Sequence, residues 1–372
     1  MPTFEYLYKE GHEQVVYFAD SSCNLKVIIA IHNTTLGPAL GGTRMWPYAS
    51  EEDALEDVLR LSKGMTYKAA VSGLNLGGGK AVIIGNPEVD KSEALFRSYG
   101  RFIESLNGRY ITAEDVNIGV EDIEHIFTET NYVSGVAKTH GGSGNPSPFT
   151  ALGVFRGIEA SCLKTYGDKS LNGKSVVIQG AGSVGCHLGK LLNEAGAKVF
   201  VCDINESHLK RFVEEYNTSA EIINPNDVYD MDVDIYAPCA LGATINDDTI
   251  DRLKVKIVAG AANNQLKETR HGDILREKGI LYAPDYLINA GGLMNVSIEF
   301  EGWSEDKAHR MVNTIYDTTL KIFKLSEEQN IAVNMATDIL AENRIKSIKG
   351  IKGKYLGDQR HRFPGRKNRA RV

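Results

Sequence analysis

Two lysines and one aspartate in the first third of the chain have the residue types of a proton-transfer site. Lys68 ends the stretch GMTYK, Lys80 follows three consecutive glycines at the start of a β-branched run, and Asp115 stands in TAEDV. Each of them alone is more typical of a solvated surface. The glycines, however, allow Lys80 to lie close to a ligand and away from water, and a lysine shielded beside a second cation gives up its proton more readily. Together the three residues indicate general acid–base chemistry.

A glycine-rich loop in the second half has the spacing of a dinucleotide-binding turn. GAGSVG follows a β-branched run and opens a helical pattern, and an acid ends the next predicted strand. Such a loop admits a pyrophosphate at the helix N-terminus, while the acid binds ribose hydroxyls and repels a 2′-phosphate. The sequence therefore predicts NAD as the cofactor. The predicted cofactor contacts are Gly180, Ala181, Gly182, Ser183, Val184, Gly185 and Asp203.

The composition is that of a globular protein. The chain has 372 residues, 42 basic and 48 acidic side chains and 42% hydrophobic residues, which excludes extensive disorder. Neither a signal peptide nor an apolar stretch of the ~18 residues that span a membrane is recognisable, so no membrane partner is expected. The five cysteines lack CxxC spacing, which predicts no metal site and favours a reducing, cytoplasmic location.

Short β-branched runs alternate with amphipathic helical patterns, which predicts an α/β fold with a mostly parallel sheet. In the second half these runs recur every ~20–30 residues, as the strands of a doubly wound sheet do. The runs in the first half are Lys26–His32 and Lys80–Gly85. Those in the second half are Ser175–Gln179, Lys198–Cys202, Val233–Ala237, Lys256–Ala259 and Ile280–Ala283.

The strongest linker signal is Gly141–Pro148, because glycine and proline interrupt regular structure. We therefore predict a first domain over 1–140 and a second over 141–330. A helical pattern follows Ser304, and its last part, about 330–350, is expected to pack on the first domain. Residues 351–372 form a basic tail, expected to be solvated without binding nucleic acid, because the acidic body of the chain repels phosphate.

The chain resembles the glutamate/leucine/phenylalanine/valine dehydrogenase family, and within it the branch that acts on leucine. The resemblance rests on the stretches Thr34–Met45, Lys63–Lys68, Gly73–Gly85, Asn107–Val116, Ser143–Pro148, Ala237–Ala243, Ala261–Leu266 and Ala283–Gly292. It implies two domains separated by a cleft: an N-terminal α/β substrate domain, which also serves oligomerisation, and a Rossmann-type NAD-binding domain. The implied reaction is the reversible oxidative deamination of an L-amino acid to its 2-oxo acid and ammonia, in a homo-oligomer that is commonly an octamer.

The resemblance also implies roles for single residues. Lys80 matches the catalytic base that activates water, Asp115 the group that assists proton transfer, and Lys68 the anchor of the substrate carboxylate. Asn264 is expected at the substrate. Near the nicotinamide the resemblance places Thr150, Asn263 and Asn289.

An apolar pocket for the substrate side chain is a further implication of the resemblance. Glutamate-specific members have a lysine where this chain has Leu40, and without that cation a buried distal carboxylate is not compensated. The other expected pocket residues are Gly41, Ala113, Leu293 and Val296. We therefore expect leucine as the substrate, with valine and isoleucine also accepted.

Two alternatives to this activity remain open, besides a nucleic-acid-binding role for the basic segment 360–372. One is a phenylalanine dehydrogenase of the same family, because a single methylene changes binding in an apolar pocket by only about 1–3 kcal/mol. The other is a protein that senses NAD or a metabolite without catalysis.

Overall fold

The chain forms two compact units in a computed structural model that describes residues 3–216 and 218–350. Unit 1 comprises the described residues up to Asn145, the segment Val296–Glu305 and the described residues from Ala341 to Gly350; unit 2 comprises the described residues of Pro146–Asn295 and Asp306–Leu340. Each of the two predicted domains is a single continuous stretch of the chain. In the structure, by contrast, the chain leaves unit 2 and returns to unit 1 at Val296. The segment that returns has no linker signal at either end. The predicted basic tail, 351–372, lies outside the described residues.

Unit 1 is built on a mixed six-stranded sheet. Its strands are β1 (Gln14–Asp20), β2 (Leu25–Asn33), β3 (Ala39–Leu40), β4 (Thr43–Trp46), β5 (Gly77–Ile84) and β6 (Tyr110–Ile111). The order is β1-β2-β5-β3-β6, with β4 also paired to β5. The pairs β1–β2 and β2–β5 are antiparallel, and β3, β4 and β6 join in parallel. The edge strand β1, half-buried along most of its length, was not predicted from the sequence.

Helices cover both faces of this sheet. They are α1 (Thr3–Glu10), α2 (Glu51–Val71), α3 (Glu93–Ser105) and α4 (Val120–Phe127). Successive side chains of a strand point to opposite faces, and the buried residues of β2 divide accordingly. Ile28 and Ala30 belong to a cluster with Val58 of α2, whereas Ile29 packs in a second cluster that includes Phe96 of α3. The continuous apolar run in β2 therefore reflects burial on both faces.

Unit 2 contains an entirely parallel sheet. Its strands are β7 (Ser175–Gln179), β8 (Lys198–Cys202), β9 (Ala220–Ile222), β10 (Ile235–Pro238), β11 (Ile257–Val258) and β12 (Leu281–Tyr282). The order β12-β11-β10-β7-β8-β9 reverses between β7 and β10, and a ligand binds at the carboxyl ends of the strands at such a switch point. The predicted α/β class and the doubly wound sheet are confirmed, although β9 was not predicted.

The remaining helices are α5 (Ser147–Tyr166), α6 (Ser183–Glu194), α7 (Glu206–Glu214), α8 (Arg270–Glu277), α9 (Asp285–Ile288), α10 (Gly291–Ser297), α11 (Glu305–Gln329) and α12 (Val333–Lys349). α5 begins inside the predicted linker, because Pro148 stands in its first turn, where the missing N–H costs no hydrogen bond. None of the helices in the described part of the chain has the length and hydropathy needed to span a bilayer.

The last part of α12 lies against the end of α2 within unit 1. The Arg344 guanidinium donates to the carbonyl oxygens of Ala70 at 3.1 Å, Gly73 at 3.1 Å and Leu74 at 2.6 Å. These carbonyls lie at or just beyond the C-terminus of α2, where a cation is favoured by the helix dipole. The C-terminal helix therefore caps the helix that carries Lys68.

Candidate active site

Lys80 and Asp115 form an ion pair in unit 1. Lys80 lies within β5 with only 6% of its side chain exposed, and its Nζ is 2.9 Å from Oδ2 of Asp115. Burial raises the pKa of Asp115, but the Lys80 and Arg44 cations outweigh burial and hold that pKa below its ordinary value. A buried amine and an ionised carboxylate are therefore in direct contact.

The turn between β3 and β4 holds the two partners at this separation. A Cβ on Gly41 would lie 1.7 Å from the carbonyl oxygen of Gly79, and a Cβ on Gly42 would lie 2.9 Å from Cβ of Asp115. Only glycine permits so close an approach of two main chains. The turn is thus packed between the strand segment before Lys80 and the loop that carries Asp115.

Lys68 lies in the last turn of α2 and is half-buried. This helix packs directly on β5: a Cβ on Gly78 would lie 2.1 Å from the main-chain nitrogen of Thr66. The three predicted proton-transfer and anchoring residues therefore belong to one unit, on α2, on β5 and after β6.

The expected pocket residues divide between the units. Leu40 lies on β3 with 1% exposure, Ala113 follows β6 and accepts a hydrogen bond from Thr43 N at 2.9 Å, and Val296 is buried in unit 1. Leu293 is buried in unit 2. Every one of these side chains is apolar.

Arg44 is a charged neighbour of this site that the sequence did not predict. It lies on β4, and its Nε donates to Oδ2 of Asp115 at 3.1 Å while Nη1 donates to Oδ2 of Asp57 at 3.0 Å. Tyr48 also donates to Asp57 Oδ2, at 2.7 Å. Arg44 stands inside Thr34–Met45, a stretch that carries the family resemblance, but a single arginine after glycines gives no spacing signal.

The glycine loop of unit 2 connects β7 to α6. Gly180 has φ +111°, a conformation that favours glycine, and a Cβ on Gly185 would lie 2.1 Å from the Gly180 carbonyl oxygen. A Cβ on Gly182 would meet nothing within 4 Å. The protein itself therefore requires Gly180 and Gly185, whereas Gly182 leaves open space beside the first turn of α6, which begins with Ser183 and Val184.

Asp203 follows β8 and is tied to the glycine loop. Its Oδ2 accepts the Ala181 N–H at 2.7 Å and its Oδ1 accepts the Asn205 N–H at 2.8 Å. Burial raises the pKa of Asp203, but the N–H donors of Asn205 and Ala181, together with His208, outweigh burial and keep the pKa below its ordinary value. The site predicted for a ribose thus carries an ionised carboxylate.

Asn289 and Asn263 contact each other in unit 2. The Asn289 Nδ2 donates to Asn263 Oδ1 at 2.7 Å, while the buried Oδ1 of Asn289 has no hydrogen-bond partner among the described residues. Asn264, with φ +52°, is next to this pair, and Thr150 lies in the first turn of α5. An unpartnered buried oxygen calls for a donor, and a carboxamide supplies one. With open space at Gly182 and an ionised Asp203, unit 2 fits a nicotinamide dinucleotide.

Neither metal ligation nor disulfide chemistry has a place among the described residues. No group of His, Cys, Asp or Glu side chains there could hold a metal ion, and the five cysteines are free thiols.

Comparison with known proteins gives matches over nearly the whole chain. Residues 12–132 match the family model described as Glu/Leu/Phe/Val dehydrogenase, dimerisation domain, and residues 141–207 and 200–353 match the model described as Glutamate/Leucine/Phenylalanine/Valine dehydrogenase. The chain is 56% identical to leucine dehydrogenase of Bacillus cereus over 353 residues, which are 95% of this chain and 96% of that protein.

Solved structures give the same picture. The crystal structure of L-tryptophan dehydrogenase from Nostoc punctiforme matches with a TM-score of 0.81 and 49% identity, over 93% of this chain and 99% of that one. The hetero-hexameric glutamate dehydrogenase from Thermus thermophilus, in its Leu-bound form, shares the fold with a TM-score of 0.77 at 21% identity, over 95% of this chain and 96% of that one.

Proposed function

The chain belongs to the Glu/Leu/Phe/Val dehydrogenase family, and from this premise we propose that it catalyses the reversible, NAD-dependent oxidative deamination of a branched-chain L-amino acid, foremost L-leucine. The products are the 2-oxo acid, ammonium, NADH and a proton, and one water is consumed. The observation that carries the proposal is the ion pair between buried Lys80 and ionised Asp115. A protein that only senses a metabolite has no need of such a pair.

The residues of unit 1 supply the proton transfers. When bound, NAD would supply the acceptor for the hydride of the substrate α-carbon, and this oxidation of the substrate gives an imino acid. Lys80 that has lost its proton takes one from the water that attacks the imine carbon, and Asp115 exchanges a proton with the substrate nitrogen. Lys68 holds the substrate carboxylate by charge. Both the hydrolysis of the C=N bond and the release of ammonium then have a proton donor and an acceptor.

Residues of unit 2 would hold the cofactor. The open space at Gly182 and the N-terminus of α6 would receive the pyrophosphate. Asp203 would accept hydrogen bonds from the ribose hydroxyls, and its charge favours NAD over NADP. The free Oδ1 of Asn289 would accept the carboxamide N–H of the nicotinamide, beside Asn263 and Thr150.

An aliphatic substrate is supported by the apolar residues of the expected pocket. Leu40 is buried, so a substrate with a distal carboxylate would lose hydration without gaining a cation. The 56% identity to a leucine dehydrogenase favours leucine over an aromatic substrate, and the 49% identity to a tryptophan dehydrogenase keeps aromatic amino acids as the alternative to test.

We also propose a homo-oligomer, an octamer, that acts in the cytosol in the catabolism of branched-chain amino acids. In support of an oligomer, residues 12–132 match a model described as a dimerisation domain. The free thiols suit a reducing compartment. Light scattering on the purified protein measures the mass and tests the octamer.

A substrate panel tests the function. NADH formation is measured with L-leucine, L-isoleucine, L-valine, L-phenylalanine, L-tryptophan and L-glutamate, with NAD and NADP in parallel. We expect kcat/KM for leucine to exceed that for the aromatic amino acids at least about tenfold, with glutamate inactive. A tenfold preference for an aromatic substrate contradicts the branched-chain assignment. NAD binding without turnover of any amino acid contradicts the enzymatic one.

A further inference from the structure

A charged bridge links the ion pair of the candidate site to α2. Arg44 lies on β4, and its guanidinium reaches Asp115 after β6 with Nε and Asp57 on α2 with Nη1, at 3.1 and 3.0 Å. An arginine fork suits two carboxylates in this way, whereas a lysine is a single point charge. The bridge therefore connects three elements of unit 1 through one side chain.

Both cations at Asp115 use the same oxygen. Lys80 Nζ lies 2.9 Å and Arg44 Nε 3.1 Å from Oδ2, and within the described part of the chain no group donates to Oδ1. A carboxylate that contacts one cation rotates easily about its Cβ–Cγ bond. Two cations that contact the same oxygen from different directions hold the carboxylate in one orientation. Oδ1 is then the oxygen of Asp115 that remains open to a ligand.

The far end of the bridge is itself anchored. Asp57 accepts from Tyr48 at 2.7 Å through Oδ2 and from Arg60 at 2.9 Å through Oδ1. The Arg60 side chain is 54% exposed and contacts the carboxylate of Asp57, not that of Asp115. Arg60 is thus a matched control for Arg44: the same residue type on the same acid, without contact to Asp115.

We propose that Arg44 is a positioning residue for the deamination: it holds the Asp115 carboxylate ionised, with Oδ2 at Lys80 and Oδ1 free to exchange the proton of the substrate nitrogen. The inference rests on the proposed function and assigns to Arg44 no contact with the substrate. The charged groups that face Asp115 are Lys80 from β5 and Arg44 from β4, with Asp57 and Arg60 of α2 behind Arg44.

The experiment measures kcat/KM for L-leucine against pH in the full-length enzyme and in R44M, R44K, D57N and R60Q. Removal of one of two adjacent cations raises the pKa of a carboxylate by about one unit. In R44M we therefore expect the low-pH step of the profile, which reports protonation of Asp115 and lies below the limb set by the Lys80 base, to move up by about one pH unit, which is about a tenfold loss below that step. R44K keeps the charge and is expected to shift less. R60Q is expected to match the wild type.

D57N separates positioning from charge. It leaves the Arg44 cation beside Asp115 but replaces the charged anchor on α2 by a neutral amide, so we expect a lower kcat with the low-pH step of Asp115 in place. A uniform loss at every pH in R44M, an equal shift in R60Q, or an unchanged kcat in D57N overturns the proposal. The melting temperature of R44M shows whether this variant folds. If it does not fold, R44K and D57N decide by the same criteria.

A failure of the proposed function is recognised separately. If the wild type turns over no amino acid, the titration of Asp115 is followed by NMR in aspartate-labelled wild type and R44K, with D115N to assign the signal. A higher midpoint in R44K than in the wild type supports the role of Arg44 in holding the carboxylate ionised. Equal midpoints overturn it.

Discussion

Nζ of Lys80 lies 2.9 Å from Oδ2 of Asp115. Lys80 is in the middle of β5, whereas Asp115 is in the loop after β6, and β3 lies between these two strands in the sheet. The contact is possible because the Gly41–Gly42 turn packs between them without side chains. Lys80 is almost fully buried and Asp115 a quarter exposed, so the pair has one shielded partner and one that ligands and water can reach.

Substitution of Lys80 tests the proposed base. K80A is expected to lower kcat for leucine deamination by about 10²–10⁴-fold, the usual contribution of a general base, while NAD binds as in the wild type. Steady-state kinetics and an NAD titration measure the two effects. K26A, which removes an exposed lysine from the neighbouring strand β2, serves as the control. Near wild-type deamination by K80A would remove Lys80 from the mechanism.

Two glycines of the same loop are expected to respond differently to a side chain. G182V adds atoms where the protein has open space, so it should keep the melting temperature of the wild type and lose NAD binding. G185A places a Cβ 2.1 Å from the Gly180 carbonyl oxygen, and such overpacking costs about 1–3 kcal/mol. Calorimetry and NAD titration of both variants compare the effects. Wild-type NAD affinity in G182V would contradict the assignment of the loop.

Arg344 is expected to influence substrate binding from a distance. It caps α2 through main-chain carbonyls at the end that carries Lys68. R344M should therefore raise KM for leucine several-fold with little change in kcat, and lower the free energy of unfolding by about 2 kcal/mol. K346M, which removes an exposed cation from the same helix, is the control. A fall in kcat at constant KM would show that the cap does not act through Lys68.

The stability of the protein is expected to decrease on mild acidification because of His32. This buried side chain binds Thr66 Oγ1 at 2.8 Å and the Glu10 carbonyl at 3.0 Å, and burial, with the neighbouring His12, lowers its pKa from 6.5 to about 4. Between these values the unfolded chain binds a proton that the folded chain does not, so the free energy of unfolding falls by about 3 kcal/mol as the pH drops through this window.

Denaturant unfolding of the wild type and of H32Q at several pH values checks this expectation. H32Q cannot titrate, so its stability should depend less on pH between 6.5 and 4. Parallel pH dependence in the two proteins would mean that His32 does not carry the effect.

Local patterns were enough to predict the framework of unit 2. β-branched runs, the spacing of Gly180, Gly182 and Gly185 and the acid at Asp203 lie within short stretches, and each follows from the geometry of one strand, turn or helix. For the same reason the strands Ser175–Gln179 and Lys198–Cys202 were predicted with their observed bounds. Residue types and family resemblance also predicted that Lys80 and Asp115 act together, and the structure places their side chains in contact.

Only the tertiary structure decided which distant groups meet. The Lys80–Asp115 distance, the bridge from Arg44 to Asp57 and the cap of Arg344 on α2 all join residues that no periodicity relates. Such contacts depend on strand order and register. Here β3 and β4 both pair in parallel with β5, one after the other along its length. Sequence therefore determined the elements and the chemical groups of this protein, whereas packing determined which oxygen of Asp115 is held and which is free, because that depends on the directions of three elements at once.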